Sequence, residues 1–175
     1  MKMNDFSCDL AFSNSHSGDD EDVLARLFPS LISCRCQLEL DKRGADYFCT
    51  NASTNTIVLV DVKRRRAGAR RYWQSSAPEV PIELADNGWL FKPRSVADFI
   101  VFIFDHDDSK YDYAVDADDL RRAATENREN WLGRFGAKRQ RNQRDGRAYD
   151  SGDVLFIPVS ELEVAGVSVI KIPKE

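Results

Sequence analysis

The sequence predicts an α/β fold in which a mixed central β-sheet is flanked by helices, and three observations lead there. Residues 56–63, TIVLVDVK, and 97–105, ADFIVFIFD, are apolar on both faces, as strands are when a sheet is covered on both sides. Segments with helical spacing stand before the first run and after the second. Helices and strands alternate loosely along the chain, the pattern of a mixed sheet rather than a sandwich or a bundle.

Taken in order, residues 1–17 are polar and predict a flexible arm ahead of one domain spanning 18–175. Asp20–Phe28, DEDVLARLF, places apolar residues at Val23, Leu24, Leu27 and Phe28 behind an acidic first turn and stops at Pro29, so it predicts a short helix. CRCQLEL (34–40) alternates as a strand. GADYFCT (44–50) is a second strand, joined through the polar turn NASTN to a third, TIVLVDVK. After Arg71 the pattern loosens through RYW, PEVPIEL and NGWLF. ADFIVFIFD then reads as a buried strand and KYDYAV (110–115) as its hairpin partner. Asp116 is placed to cap a helix from Ala117 to Leu132 with Leu120, Ala124 and Trp131 on one stripe. A strand VLFIPV (154–159), a turn opened by the pair Ser160 and Glu163, and a strand VSVIKI (167–172) close the chain.

Composition excludes several classes. With 175 residues and 42% hydrophobic side chains, the chain can bury one good core. No stretch reaches the roughly 20 apolar residues of a bilayer span, and residues 1–22 lack the apolar centre of a signal peptide, so a cytoplasmic protein with no membrane partner is expected. Cys8, Cys34, Cys36 and Cys49 form no CxxC pair and accompany only His16 and His106, which supports neither a zinc site nor a disulfide framework. The aspartates of DHDDSKYD (105–112) fit no regular ligand spacing and read as an acidic turn. The net charge of −4 hides clustering: DDED (19–22) is acidic, whereas KRRRAGARR (63–71) and RFGAKRQRNQR (134–144) are basic. An acidic chain with two such segments points to a local polyanion site.

The third strand carries the main anomaly. Ile57, Leu59, Asp61 and Lys63 share one face, so an acid and a lysine stand where a strand apolar on both sides should be most deeply buried. If the NASTN turn is symmetric, Thr50 faces Ile57, Phe48 faces Leu59 and Asp46 faces Asp61, with Cβ atoms roughly 4.5–5.5 Å apart. Opposed carboxylates repel, and a divalent cation compensates naturally; Mg²⁺ binds one or two carboxylates together with substrate phosphate. The plainer alternative is that Lys63 neutralises one aspartate in an ordinary ion pair.

These residues resemble the PD-(D/E)XK nuclease superfamily, in particular small members similar to Holliday-junction resolvases. The resemblance covers roughly residues 21–66. GADYF supplies the first acid, with alanine where the family has proline, and VDVK the second acid and the lysine, with aspartate where glutamate is commoner. It implies a restriction-endonuclease-like core and a Mg²⁺- or Mn²⁺-dependent endonuclease, such as a phage or other mobile element carries. In that role Asp46 and Asp61, with Glu21 and the Val62 carbonyl, would hold one or two metal ions and Lys63 would be the catalytic lysine. Glu21, on the first helix ahead of Leu24, Ala25 and Phe28, is the candidate for the further acid that many relatives carry; Glu39 is a second candidate. The helix that usually follows the lysine is not evident in the sequence before Ala97.

DNA is the expected partner, with RNA left open and a homodimer allowed. Arg64, Arg65, Arg66, Arg70 and Arg71 are candidate phosphate contacts, and Tyr72 and Trp73 could stack on an exposed base. Arg139, Arg141 and Arg144 are expected to continue the preceding helix into a flexible clamp. Two alternatives stand beside the enzyme: a catalytically inactive nuclease-fold module that binds nucleic acid, and a protein-interaction or inhibitor module that uses DDED as its contact.

Overall fold

The computed structural model describes residues 4–5, 16–36, 40, 43–65, 77–86, 88–91, 95–105, 109–144 and 147–174. Strands β1 (Asn4–Asp5), β2 (Ile32–Arg35), β3 (Tyr47–Asn51), β4 (Thr56–Arg65), β5 (Glu79–Glu83), β6 (Phe99–Phe104), β7 (Tyr111–Asp116), β8 (Lys138–Arg144), β9 (Arg147–Pro158) and β10 (Val169–Pro173) are joined by four helices. Among the described residues these are α1 (Ser17–Leu27), α2 (Ala117–Glu126), α3 (Arg128–Phe135) and α4 (Val159–Val164). Two sheets result: a mixed six-stranded sheet in the order β10-β7-β6-β4-β3-β2, and a smaller one in the order β1-β8-β9-β5. The expected α/β class with a mixed central sheet is what the chain adopts. Among the described residues no helix is long and apolar enough to cross a membrane.

The hairpin of β3 and β4 forms in the expected register, Thr50 opposite Ile57 and Phe48 opposite Leu59. Its turn is stiffened by Asn51, whose side-chain oxygen accepts from the amides of Ser53 and Thr54, while Asn55 takes the left-handed backbone (φ 55°) that asparagine tolerates. β4 then runs parallel to β6, and β6 antiparallel to β7. Side chains of β4 alternate between two cores. Val60 and Val62 face α1, with Val23, Leu24, Tyr47, Val101 and Ile103. The opposite face of the neighbouring β6, with Ile100, Phe102 and Phe104, packs against α2, α3 and the second sheet, where Leu120, Trp131, Ile82 and Ile157 are buried. Each fully buried aliphatic or aromatic side chain contributes about 1.5–3 kcal/mol, so these two layers hold β4 rigidly in place.

Several elements differ from expectation. The first strand of the hairpin series is Ile32–Arg35 rather than 34–40, and Leu40 instead accepts the amides of Arg43 and Ala45 in a turn leading into β3. The helix from Ala117 breaks at Asn127, whose side-chain amide bonds back to the Ala123 carbonyl, though Leu120, Ala124 and Trp131 are all buried as expected. Asp116 does cap α2: its Oδ1 accepts from the amides of Asp118 and Asp119 at 2.9 Å. No helical clamp follows. The helix stops at Gly136 (φ 65°), and Arg139, Arg141 and Arg144 lie in β8, paired antiparallel with β9 so that Arg144 stands opposite Arg147. Asn4 and Asp5, within the expected arm, pair in parallel with Asn142 and Gln143. Residues 159–164 form α4 in place of the expected turn, and no side chain caps it.

Candidate active site

Asp46 stands immediately before β3, where the ladder with β4 gives way to side-chain bonding. Its amide donates to the Val60 carbonyl, and its Oδ2 accepts the Val62 amide at 2.8 Å. The carboxylate thus takes an acceptor place that the backbone would otherwise fill. Continuing the observed register brings Asp46 opposite Asp61. Asp61 is only 3% exposed, and Lys63, two residues on and on the same face, places its Nζ 2.5 Å from Asp61 Oδ1. The expected grouping of Asp46, Asp61 and Lys63 is therefore brought together at the end of β4.

The electrostatics of the group are those of crowded charge. Burial pushes the Asp61 carboxyl up, and the charge and hydrogen bonding of Asp46 push it further, against the opposing pull of Lys63, so that it titrates at about 7. Burial alone would lower the Lys63 ammonium, but Asp61, Asp46 and Glu83 outweigh it and the group is raised. Lys63 is therefore a protonated ammonium across the physiological range, in contact with Asp61 and in the field of the Asp46 and Glu83 charges.

Glu21 does not join them. The helix starts at Ser17, and its inward stripe runs through Asp20, Val23, Leu24 and Leu27, leaving Glu21 and Ala25 exposed. Asp20 is the acid that turns inward. It accepts from the Tyr47 hydroxyl at 3.3 Å and from Arg64 Nη2 at 2.6 Å, on the face of β4 opposite to Lys63. Arg64 also donates to Asp105 at 2.5 Å. Glu39 lies outside the described residues, and no group of three or more His, Cys, Asp or Glu side chains with metal-holding geometry occurs among the described ones.

The basic candidates divide. Arg64 is only 11% exposed and is committed to Asp20 and Asp105, so it is a bracing residue rather than a phosphate contact. Arg65, on the Lys63 face, lays its guanidinium over the Phe156 ring at 4.9 Å; burial lowers it to about 10, against the pull of Glu79. Arg139 is exposed and lies 3.3 Å from Asp153, while Arg141 and Arg144 follow it along β8. Arg66, Arg70, Arg71, Tyr72 and Trp73 lie outside the described residues.

The Asp20–Arg64–Asp105 bridge carries a prediction. Arg64→Gln strands the buried carboxylate of Asp20 against the core and also frees the partly exposed Asp105; it is expected to cost about 3–5 kcal/mol, the usual consequence of removing one partner from a buried ion pair. Urea unfolding checks it; a loss below about 1 kcal/mol would mean that the bridge behaves as a solvated surface pair.

A mixed-charge groove of about 1180 Å³, lined by Arg26, Arg64, Asp105 and Asp112 among others, opens on the α1 side of the sheet. It does not contain Asp61 or Lys63. The Asp46, Asp61 and Lys63 group sits on the opposite face, where sequence reasoning had missed two neighbours, Glu83 at the end of β5 and Trp89 in the loop beyond it. NGWLF offered a signal only in its bulky aromatic among turn residues. Comparison with protein-family models, with curated proteins and with solved structures finds no match for this chain.

Proposed function

We propose that the protein is a metal-dependent phosphodiesterase that cuts DNA, of PD-(D/E)XK type with a restriction-endonuclease-like core. One observation carries the reading: two carboxylates converge at a strand end with a lysine ammonium 2.5 Å from one of them. The chain order supports it, with a helix, three antiparallel strands and a crossover to a strand parallel with the third. No helix fills that crossover among the described residues, where β5 of the second sheet stands instead.

The donor set fits a hard divalent cation. Two adjacent carboxylates against one ammonium leave surplus negative charge, which a divalent ion with oxygen ligands would offset. Asp46 and Asp61 would hold Mg²⁺ or Mn²⁺, with the Val62 carbonyl as a further oxygen. The bound ion supplies Lewis-acid stabilisation of the phosphate oxygens and of the departing oxyanion. Asp46, held by the Val62 amide, keeps its carboxylate fixed toward Asp61. Lys63 places a positive charge where an attacking water or a non-bridging phosphate oxygen would develop charge, and its tether to Asp61 spares it reorganisation during the reaction.

Incubating the pure protein with linear, supercoiled, branched and single-stranded DNA, in Mg²⁺ or Mn²⁺ with and without chelator, tests the reading. Cleavage that chelator abolishes is expected; DNA binding without cleavage on any substrate would favour an inactive binding module. For the basic surface, replacing Arg139, Arg141 and Arg144 by glutamine is expected to weaken binding to unrelated sequences alike. It should flatten the dependence of log affinity on log salt by up to about 0.9 for each duplex phosphate that is no longer neutralised. Fluorescence anisotropy at several ionic strengths measures this, and an unchanged slope would remove β8 from the interface.

A further inference from the structure

The loop after β5 is built around Lys63. Trp89 lays its indole face 5.3 Å from Lys63 Nζ and meets Phe102, the residue paired with Lys63 on β6, edge to face at 6.1 Å. Two features fix the backbone that carries the indole. The Trp89 amide donates to Glu83 Oε2 at 3.1 Å, and the Gly88 amide donates to the Ala85 carbonyl. A Cβ on Gly88 would lie 2.7 Å from Glu83 Cβ and 2.9 Å from the Ala85 carbonyl oxygen, so the turn closes only around glycine. Lys63 keeps about a quarter of its side chain exposed, and an ammonium in that position would otherwise be free to swing into solvent. A lysine stem loses substantial rotamer freedom when held, so a second restraint besides Asp61 matters.

We propose that Trp89 is a positioning residue for Lys63: its ring face, anchored by Glu83 through the tight turn at Gly88, holds the ammonium against Asp61 on the side where a scissile phosphate would bind. The proposal rests on the phosphodiesterase reading for its catalytic meaning, but the restraint is a property of the folded chain. An aromatic face attracts a cation electrostatically, and phenylalanine retains part of that attraction whereas leucine has none.

The test is nitrogen-15 relaxation of the Lys63 side-chain ammonium in the full chain without metal, comparing the wild type with Trp89→Leu and Trp89→Phe. The ammonium is expected to be ordered in the wild type, mobile in Trp89→Leu and largely restored in Trp89→Phe. An ammonium as ordered in folded Trp89→Leu as in the wild type overturns the proposal. Should Trp89→Leu not fold, Lys63→Met decides: the Trp89 ring resonances shift, and unmoved Trp89 resonances overturn the proposal. In the cleavage assay, Trp89→Leu should lower kcat roughly two- to five-fold at unchanged KM, with recovery in Trp89→Phe. Failure of the wild type to cleave any DNA would sink the proposed function, while the relaxation comparison would still decide the role of Trp89.

Discussion

Asp61→Ala and Lys63→Ala are each expected to lower metal-dependent DNA cleavage by at least about a thousandfold while leaving DNA affinity within about twofold. The size follows from roles. On the proposed reading, removing Asp61 takes away a carboxylate that would hold the ion and also the partner of Lys63, 2.5 Å away. Removing Lys63 takes away a preorganised positive charge, and single groups of that kind are worth about 10²–10³ in rate before any loss of metal is counted. The two substitutions should differ in stability. Asp61→Ala deletes a buried acid whose titration is pushed up to about 7, so its loss relieves crowding at neutral pH, whereas Lys63→Ala leaves Asp46 and Asp61 facing one another without a counter-charge. Thermal melts run beside the assay separate loss of chemistry from loss of fold. Unchanged cutting by both variants would remove these residues from the active site.

The second large effect links pH, metal and stability. A carboxyl that titrates at about 7 in the folded protein and at its ordinary 3.8 when unfolded binds more protons in the native state between those values. The stability it contributes is therefore present at low pH and is lost as pH rises from about 4 through 7, by on the order of 4 kcal/mol at most. Asp20 and Asp112, also raised by burial, act with the same sign, so the pair is isolated by comparison with Asp46→Asn. The asparagine keeps an oxygen for the Val62 amide but removes one charge. Asp46→Asn should be more stable than the wild type at pH 8 without metal and should show a shallower decline with pH. Mg²⁺ or Mn²⁺ at about a hundredfold over its Kd should add about 2.7 kcal/mol to the wild type, or roughly 5–10 °C in Tm, and much less to the variant. An apo protein destabilised by Asp46→Asn would instead show that this aspartate serves a structural ion pair.

What could be read from the chain and what could not have physical reasons. The β3–β4 register was legible because a two-residue side-chain period and a short polar turn leave few alternatives once both strands are apolar. The cap at Asp116 and the buried stripe through Trp131 were legible from spacing alone. The inward acid of α1 was not: Glu21 and Asp20 differ by one helical position, and the phase is set by Val23, Leu24 and Leu27 together rather than by Leu24, Ala25 and Phe28. β5 was obscured by Pro81, which a strand accepts here because β5 lies at the edge of its sheet. β8 carries polar residues throughout, so no alternation announced it; the dipeptide Asp145-Gly146 between Arg144 and Arg147 was the hairpin signal available. The meeting of Lys63 with Trp89 joins a residue of β4 to the loop after β5 along a long crossover, and nothing local in the sequence encodes it.

The claim on which the rest depends is that Asp46 and Asp61 together hold a divalent cation, and this can be measured without knowing the substrate. Titrating the apo protein with Mn²⁺ and following free ion by electron paramagnetic resonance counts the sites directly. One or two ions are expected to bind the wild type, to be displaced by excess Mg²⁺, and to bind Asp61→Ala and Asp46→Ala at least tenfold more weakly. Mn²⁺ binding by both variants with the affinity of the wild type would contradict the account and leave Lys63 and Asp61 as an ordinary buried ion pair.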